Sequence, residues 1–404
     1  MKATLEVEQI VCQVRSRGDL ALVELTARFD GVDISKKGLR VSGEDIKLAY
    51  EKVEQSEIQA LEFLRRRIES VERRKLRRLN YVHSDSLIRM TQRTRPLNSV
   101  GCYVPAGLAT YPSTLLMTVV PAKIAGVKRV IVCSPPRRGD VDPLILVAAD
   151  ICAVDEIYRV GGAQAIAAMA YGTESIAPVE KIVGPAGRFV TTAKMLVSKD
   201  VAIDIPAGPS EVVILADSNA DPKAAVLDML SQAEHDPESV AILISTSAIF
   251  LQEAYRILEQ KLQHAERREI IESSLKKHGA FVLAESVDEA VEFINKFAPE
   301  HLELMVKEAG KVAETVSSAG IILLGKNTPV AAADYALGTN HVQPTAGFAR
   351  IYSGLSVFDY VKRISIVEAK GSVMKRILPT VKALSTREGL PNHFLAVKGR
   401  VDND

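Results

Sequence analysis

The sequence of 404 residues predicts an α/β fold in which helices cover parallel sheets, divided between two domains. After Pro96, short runs rich in β-branched residues alternate with alanine-rich helical patterns, and this alternation is typical of parallel sheets. The runs are too numerous for one small sheet. A stretch dense in proline and glycine at residues 204–210 indicates a hinge between two sheets.

The N-terminal part, residues 6–80, has a helical pattern with two apolar faces. The second face lies within residues 48–64, and the first is formed by Ile10, Val14, Leu20 and Leu25. Residues 64–78 are strongly basic, which could indicate a nucleic-acid-binding helix. We interpret them as a solvated helix face, because no stacking aromatic residues are interleaved and acidic partners stand at helical spacing, namely Glu62, Glu69 and Glu72.

The elements after Pro96 follow from the period of the apolar residues. The predicted strands span residues 129–133, 156–160, 181–183, 211–215, 240–245, 280–283 and 320–324. The helices predicted between them span residues 142–153, 163–171, 221–234, 250–261 and 287–297.

These elements suggest how the chain is divided. We predict a middle domain of residues 102–209 inserted into a larger domain formed by residues 1–101 and 210–353. Residues 354–404 then form a helical tail that is broken at Pro391 and is too short for a core of its own.

The overall charge and the cysteines exclude several classes of function. Lys and Arg number 51 against 50 for Asp and Glu, so the net charge of +1 gives no general attraction to nucleic acid or to an anionic membrane. The longest apolar runs are too short for a membrane span, and the first residues lack an apolar signal core, which predicts a cytoplasmic protein. Four cysteines without a C-x-x-C motif suit reduced thiols, so any bound metal must be held by nitrogen and oxygen.

Four histidines lie in unusual polar sequences, whereas His83, His264 and His278 lie among surface charges. His235 follows Gln232 by three residues, on one helix face, which permits metal binding but more often reflects capping. His301 follows Glu300 at a predicted helix–strand junction, where the pair could act as acid and base or as a capping Glu beside a hydrogen-bonded His.

The other two candidate histidines lie in less regular sequence. His341 shares a long turn-rich loop with Asp334, and such a loop is about equally often functional or merely wrapped on the surface. His393 follows the helix break in the tail, for which a simple helix end is the plain interpretation.

The signal for a dinucleotide is indirect. No G-x-G-x-x-G motif occurs, but Gly161 and Gly162 lead from a predicted strand into an alanine-rich helix, and a second glycine-rich turn spans residues 183–187. Small residues at a helix start let phosphates approach backbone N–H groups. Such turns also occur without any ligand.

Taken together, several segments in order resemble the histidinol dehydrogenase family. The matching segments are residues 18–22, 100–105, 159–167, 205–212, 231–237, 298–302 and 338–345. The resemblance implies an NAD-dependent alcohol and aldehyde oxidoreductase of histidine biosynthesis, which converts L-histidinol through L-histidinal to L-histidine with two NAD and one Zn²⁺ per subunit. It also implies two incomplete Rossmann-like domains, with small helical segments at both ends of the chain, in an intertwined homodimer.

The same resemblance implies roles for individual residues. Zinc ligands correspond to Gln232, His235, Asp334 and His393, and the acid/base pair corresponds to Glu300 and His301. His301 would take the alcohol proton as a neutral imidazole, and Glu300 would activate water in the second oxidation. Substrate contacts correspond to Ser210, Gln232, His235, His301, Asp334, Glu388 and His393, with His341 nearby. The tail that carries Glu388 and His393 would complete the site of the partner subunit.

The predicted NAD contacts are Tyr103, Gln164 and position 187. The family usually has an Asn at this last position, where the present chain has Gly187, flanked by the atypical Ala186 and Arg188. The family turn Pro-Gly-Gly also differs, since residues 105–107 read Pro-Ala-Gly. We therefore expect weaker NAD binding than is usual in the family.

Two alternatives remain at this point. A paralogous zinc and NAD dehydrogenase could act on another polar alcohol with the same fold. From a different class, the basic helix could belong to a nucleic-acid-binding or scaffold protein with a vestigial site, although the complete set of candidate ligands argues against decay.

Overall fold

The computed structural model of the chain describes residues 2–106, 110–185, 187–205, 208–370 and 373–402. Two units can be distinguished by their internal packing. Unit 1 comprises Met1–Arg73 and Pro96–Tyr360, and unit 2 comprises Arg74–Arg95 and Val361–Asp404. No described helix is both long and apolar enough to serve as a membrane span.

The chain begins with three helices and two short strands. Their bounds are α1 (Lys2–Asp30), α2 (Gly43–Tyr50), α3 (Gln55–Arg77), β1 (Tyr81–Ser84) and β2 (Ile88–Pro96). α1 is kinked at Gly18, where φ is 52° and the two halves of the helix meet. The kink explains why Leu20 is 69% exposed while Val14 and Leu25 are buried, so Leu20 does not belong to the predicted apolar face.

The first parallel sheet of unit 1 has the strand order β5-β4-β3-β6-β7. Its elements are β3 (Ser99–Tyr103), α4 (Pro112–Ala125), β4 (Arg129–Ser134), α5 (Pro143–Ile151), β5 (Glu156–Arg159), α6 (Gly162–Tyr171), β6 (Lys181–Val183), α7 (Arg188–Val197) and β7 (Ala202–Ile203). The chain starts at the central strand β3, continues outward to β5, and then returns to the other side of β3 with β6. The order thus reverses between β3 and β6.

The second parallel sheet of unit 1 repeats this plan with the order β10-β9-β8-β11-β12. Its elements are β8 (Glu211–Ala216), α8 (Pro222–Ala233), β9 (Val240–Ser245), α9 (Ala248–Leu262), α10 (Arg268–His278), β10 (Gly279–Leu283), α11 (Val287–Phe297), β11 (His301–Met305), α12 (Ala309–Thr315) and β12 (Ile321–Leu324). A short helix α13 (Val330–Ala332) runs directly into a wide π-type turn, Ala333–Leu337. Two parallel five-stranded sheets confirm the predicted fold class.

The N-terminal helix α1 associates with the first sheet. Buried side chains of α1, among them Val7, Val14 and Leu22, form one core with residues of α6 and α7. The sequence division grouped residues 1–101 with residues 210–353. The difference arises because the apolar face of α1 fits the alanine-rich helix α6, a match between distant segments that local periodicity does not contain. The predicted hinge lies partly at Pro206 and Ala207, outside the described residues.

Unit 2 consists of a three-stranded sheet and two helices. The strand order is β1-β2-β13, with β13 (Val361–Ala369), and the helices are α14 (Val373–Arg387) and α15 (Pro391–Val401). The tail of residues 354–404 was predicted to be helical, which is wrong for β13. This segment is extended because it pairs with β2, a strand that lies far away in the sequence.

Candidate active site

An acidic and an imidazole side chain meet at the amino edge of the second sheet. α11 ends at Phe297 and is followed by Ala298, which adopts a left-handed conformation, and the chain then turns through Glu300 into β11. His301 is the first residue of β11 and pairs in register with Val212 of the neighbouring β8. The preceding residue of β8, Glu211, therefore lies beside the pair formed by Glu300 and His301.

Hydrogen bonds fix the orientation of the His301 ring. Its Nδ1 lies 3.1 Å from the carbonyl oxygen of Glu211, and a carbonyl only accepts, so Nδ1 carries a proton and donates it. Nε2 is buried without a hydrogen-bond partner among the described residues, and Asp334 Oδ1 lies 3.7 Å away. In the neutral ring, Nε2 is therefore a free, buried base.

Glu211 holds both members of the pair. Its amide N–H donates to Glu300 Oε2 over 2.8 Å, while its own carboxylate accepts the amide N–H of Glu300 at 3.3 Å and that of Ala346 at 2.9 Å. All three of Glu211, Glu300 and His301 are buried. Glu211 therefore holds the backbone and carboxylate of Glu300 and the Nδ1 side of the His301 ring in fixed directions.

Burial and close charges shift the titration of this pair. Burial raises the pKa of Glu300 to about 8. Burial alone would lower the pKa of His301, but Glu300 and Asp334 favour the imidazolium and raise it to about 9. The expected neutral imidazole is thus not the form that the protein side chains favour by themselves. A cation held by Asp334 would oppose this effect, because its positive charge disfavours the imidazolium.

Further candidate residues converge on Asp334, which lies in the π-type turn after α13. Burial would raise the pKa of this carboxyl, yet His301, His341 and His235 act on it and keep the pKa below its usual range. His235 follows the C-terminal end of α8, and burial lowers its pKa. Gln232, in the last turn of the same helix, is buried as well.

The turn-rich loop of residues 338–345 is packed against the first sheet's helix α4. His341 Nε2 lies 3.0 Å from Thr114 Oγ1, and Asn340 Nδ2 donates to the carbonyl of Met117 over 2.7 Å. Thr345 Oγ1 accepts the amide N–H of Gly208, close to Ser210. This loop is therefore an internal part of unit 1 and not a surface wrapping.

The chemical forms of these side chains fit a zinc ion. Burial favours the neutral ring of His235, and neighbouring imidazoles favour the ionised Asp334, which are the forms that bind metals. Gln232, His235 and Asp334 belong to unit 1. His393 and Glu388 lie in unit 2, at α15 and just after α14, where both are exposed. Within the part of the chain that the structure describes, no group of three or more His, Cys, Asp or Glu side chains is arranged so that it could hold a metal ion.

A second candidate site lies at the carboxyl edge of the first sheet, where the strand order reverses. Tyr103 ends β3, and its hydroxyl accepts the amide N–H of Gly162 over 3.2 Å at the start of α6. Gln164 is buried in the first turn of α6, and its Nε2 has no partner among the described residues. Ligands of open α/β sheets bind at such a reversal point, next to helix N-termini.

The glycine-rich turn after β6 completes this edge. Gly184 has a φ of 127°, and a Cβ there would lie 2.2 Å from the carbonyl oxygen of Tyr103, so no other residue fits. Its N–H donates to Asp204 Oδ2 over 2.7 Å, and its carbonyl accepts from Lys194 Nζ over 2.9 Å. Lys194 and Asp204 also form a buried ion pair with each other, so the two side chains that bind the N–H and the carbonyl of Gly184 stabilise each other.

Gly187 follows in the same turn and caps α7 with extended backbone. In contrast to Gly184, its φ is −67° and a Cβ would meet nothing within 4 Å. The backbone therefore does not require glycine here, and the Asn of the family could be accommodated. Ala186 lies outside the described residues.

Sequence reasoning did not assign a role to Glu211, Lys194 or Asp204. Glu211 and Asp204 each adjoin an apolar strand and the proline-containing stretch of residues 205–209, whereas Lys194 lies inside α7 and no such local signal marks it. A charged residue that directly adjoins an apolar strand is a signal for a buried side chain. A buried charge in turn requires a partner that is charged or forms hydrogen bonds.

Parallel sheets with glycine turns at a strand reversal, together with a buried acid–imidazole pair, fit the class of α/β oxidoreductases. The histidinol dehydrogenase family model matches residues 1–401 of the chain. The chain belongs to the histidinol dehydrogenase family.

Individual relatives agree with this assignment. A curated histidinol dehydrogenase of Methanothermobacter thermautotrophicus is 46% identical over 396 residues, covering 98% of this chain and 92% of the relative. One from Gluconobacter oxydans is 44% identical, with coverage of 98% and 93%. The crystal structure of histidinol dehydrogenase from Elizabethkingia anophelis superimposes with a TM-score of 0.95 at 34% identity, covering 98% of this chain and 92% of that one.

Proposed function

We propose that the protein oxidises L-histidinol through L-histidinal to L-histidine, with one zinc ion bound per subunit and two molecules of NAD consumed. The observation that carries this proposal is the arrangement around the buried His301. Glu300 Oε2 lies 3.6 Å from Nδ1, and Asp334 Oδ1 lies 3.7 Å from Nε2, which has no hydrogen-bond partner among the described residues. An acid and a base so close together in a water-poor site are what successive alcohol and aldehyde oxidations require.

Gln232, His235, Asp334 and His393 would hold the zinc ion. When bound, zinc would fix the imidazole and amine of the substrate beside the nicotinamide that accepts each hydride. His301 would take the alcohol proton on Nε2 in the first oxidation, because its Nδ1 is already committed to the Glu211 carbonyl. Glu300 would activate water in the second oxidation, from its position beside the ring.

For NAD, we propose contacts from Tyr103, Gln164 and the turn that contains Gly187. The support is the unpartnered amide of Gln164 next to the start of α6 and the fixed backbone at Gly184. These groups lie at the strand reversal of the first sheet, where backbone N–H groups can approach phosphate oxygens. Substrate contacts are proposed for Ser210 and Glu388 in addition to the zinc ligands.

We further propose a cytoplasmic homodimer in which the tail completes the site of the partner subunit. Unit 2, considered by itself, has apolar side chains open to solvent on its strand β13 and its two helices, namely Ile364, Ile366, Val367, Leu384 and Leu395. Exposed apolar clusters of this kind indicate an interaction surface.

The experiment is a comparison of substrates and of metal content. We expect the purified chain to contain about one zinc per subunit, to oxidise L-histidinol with two NADH formed per L-histidine, and to lose activity on chelation with recovery on adding Zn²⁺. Simple amino alcohols and hydroxy-sulfonates serve as matched substrates. Preferred oxidation of one of these would favour a paralogous dehydrogenase, and undiminished histidinol oxidation by metal-free protein would contradict the zinc proposal.

A further inference from the structure

A buried carboxyl group that has no role in the proposed chemistry lies two residues beyond His301. β11 is buried along its whole length, yet it carries Glu303, which is 1% exposed. Alternate residues of a strand face the same side, so Glu303 lies on the face of His301 and Met305. Met305 packs there against apolar residues of α8 and of the segment around α13, among them Val226, Met229, Val330 and Ala333.

One oxygen of Glu303 caps the helix that leads to Asp334. Glu303 Oε1 accepts the amide N–H of Val330 over 2.7 Å. Val330 is the first residue of α13, whose N–H has no partner within the helix. Asp334 follows four residues later, about one helical turn further along.

The other oxygen of Glu303 faces the helix that carries Gln232. Glu303 Oε2 is buried and has no N–H or hydroxyl partner among the described residues. Its neighbour is the carboxyl group of Asp228, one helical turn before Gln232 on α8. Burial raises the pKa of Glu303, and so does the nearby Asp228. A protonated Glu303 can donate to the neighbouring Asp228 carboxylate, and this interaction opposes the burial that raises the pKa of Asp228.

Glu303 thus links three elements, each of which carries a residue of the proposed site. A carboxyl pair is costly among apolar side chains, and well-packed apolar residues often stabilise a core as much. What such a pair adds is direction, because both hydrogen bonds are satisfied at one separation and angle of the helices.

We propose that Glu303 and Asp228 form a positioning pair that sets the spacing between α8 and the α13 turn, and with it the spacing of Gln232, His235 and Asp334 as zinc ligands. The inference rests on the proposed zinc site. Groups that orient metal ligands from behind commonly change metal affinity by about 10–100-fold when they are removed.

The test measures zinc affinity by competition with a chromophoric chelator, using the full-length chain. Glu303→Met keeps the size of the side chain but removes both hydrogen bonds, and we expect zinc affinity to fall about tenfold. Glu303→Gln can still accept from the Val330 N–H and donate to Asp228, so its affinity is expected to stay within about twofold of wild type. Zinc affinity that is retained in Glu303→Gln would show that the hydrogen bonds of this side chain matter and that its charge does not.

Two further variants keep the test decisive. If Glu303→Met does not fold, Asp228→Ala removes the link from the α8 side and is expected to weaken zinc binding in the same direction. Glu72→Met is the matched control, since Glu72 is also a buried carboxyl that accepts a backbone N–H, from Val357 at 2.6 Å. We expect it to lower the urea midpoint without changing the zinc affinity of the folded protein.

The outcomes separate the two proposals. A wild-type chain that binds no zinc overturns the proposed metal site and this inference with it. A wild-type chain that binds zinc, with Glu303→Met or Asp228→Ala equal to wild type, overturns the positioning pair alone. An equal loss in Glu303→Gln and Glu303→Met also overturns it, because the hydrogen-bond geometry would then be irrelevant.

Discussion

The two five-stranded sheets share one topology but present their candidate residues at opposite edges. In the first sheet, Tyr103 and the turn at Gly184 lie at the carboxyl ends of the strands. In the second, Glu211 and His301 are the first residues of β8 and β11, at the amino ends. The comparison teaches that the same α/β frame can serve two kinds of ligand, depending on which edge is used.

Helix direction explains why the two edges differ. Helices in these sheets run back against the strands, so α6 and α7 begin at the carboxyl edge, while α8 and α11 end at the amino edge. Helix N-termini attract anions such as phosphates, and helix C-termini favour cations. The carboxyl edge of the first sheet therefore suits a dinucleotide, and the amino edge of the second suits a metal ion.

The largest effect should come from removing the base at the amino edge. We expect His301→Ala to lower the turnover of L-histidinol by about 10²–10⁴-fold, because the variant lacks the buried Nε2 that would take the alcohol proton. Steady-state NADH formation measures it. The exposed His264→Ala is the control. Turnover within a few-fold of wild type would show that another residue acts as the base. The amino edge of the second sheet would then not be the catalytic edge.

Glu211→Gln tests whether the amino edge depends on directed hydrogen bonds. A glutamine can accept at one oxygen only, so the N–H of Glu300 or of Ala346 loses its partner, at a cost of about 1–3 kcal/mol. We expect kcat to fall about tenfold with a smaller change in KM. Glu72→Gln, in another buried carboxyl, should leave kcat unchanged, and equal losses in both variants would show that Glu211 is only structural.

Near the carboxyl edge, Asp30→Asn tests an unpaired charge close to Tyr103. Burial raises the pKa of Asp30 to about 6, and its Oδ2 has no partner among the described residues. A raised pKa in the folded state means that stability is full below about pH 4 and is lost as pH rises through about 6. We expect the variant to gain about 1 kcal/mol in free energy of unfolding at pH 7.5, reduced by solvent screening.

Urea unfolding at pH 4.5 and at pH 7.5 measures this effect. The difference between variant and wild type should be larger at the higher pH. A constant difference would show that the Asp30 carboxyl ionises normally in the folded protein.

The smallest effect concerns the phosphate side of the same edge. Gly187→Asn should tighten NAD binding by about 2–10-fold, the worth of one hydrogen bond, since a Cβ at this position meets no atom. Isothermal titration with NAD measures the affinity. An unchanged Kd would remove the reason to expect weak NAD binding from the missing Asn.

The sequence predicts the periodic elements closely and their partners poorly. β9 spans the predicted residues, and β4 and β8 differ from prediction by one residue, because a buried strand is encoded in consecutive apolar residues. The pairing of β13 with β2 and of α1 with α6 depends on segments far apart in the chain, which local patterns do not record.

The same limit applies to the site. Glu300, His301 and Asp334 could be selected from sequence. The hydrogen bonds of Glu211 to Glu300 and His301 could not, because they depend on the register between β8 and β11. Glu303 was hidden for another reason. The alternation of residues 302–306 suggests a strand with one exposed face, whereas β11 lies inside a sheet that is covered on both faces, so its polar residues are internal.

Unit 2 is assembled from two segments, and this has a consequence for synthesis on the ribosome. The hairpin of β1 and β2 is synthesised before both five-stranded sheets, whereas β13, which pairs with β2, begins at Val361 and is synthesised after them. Until then one edge of β2 has no strand beside it and is open to pairing with other nascent chains. We therefore expect this hairpin to contribute to chaperone dependence during expression.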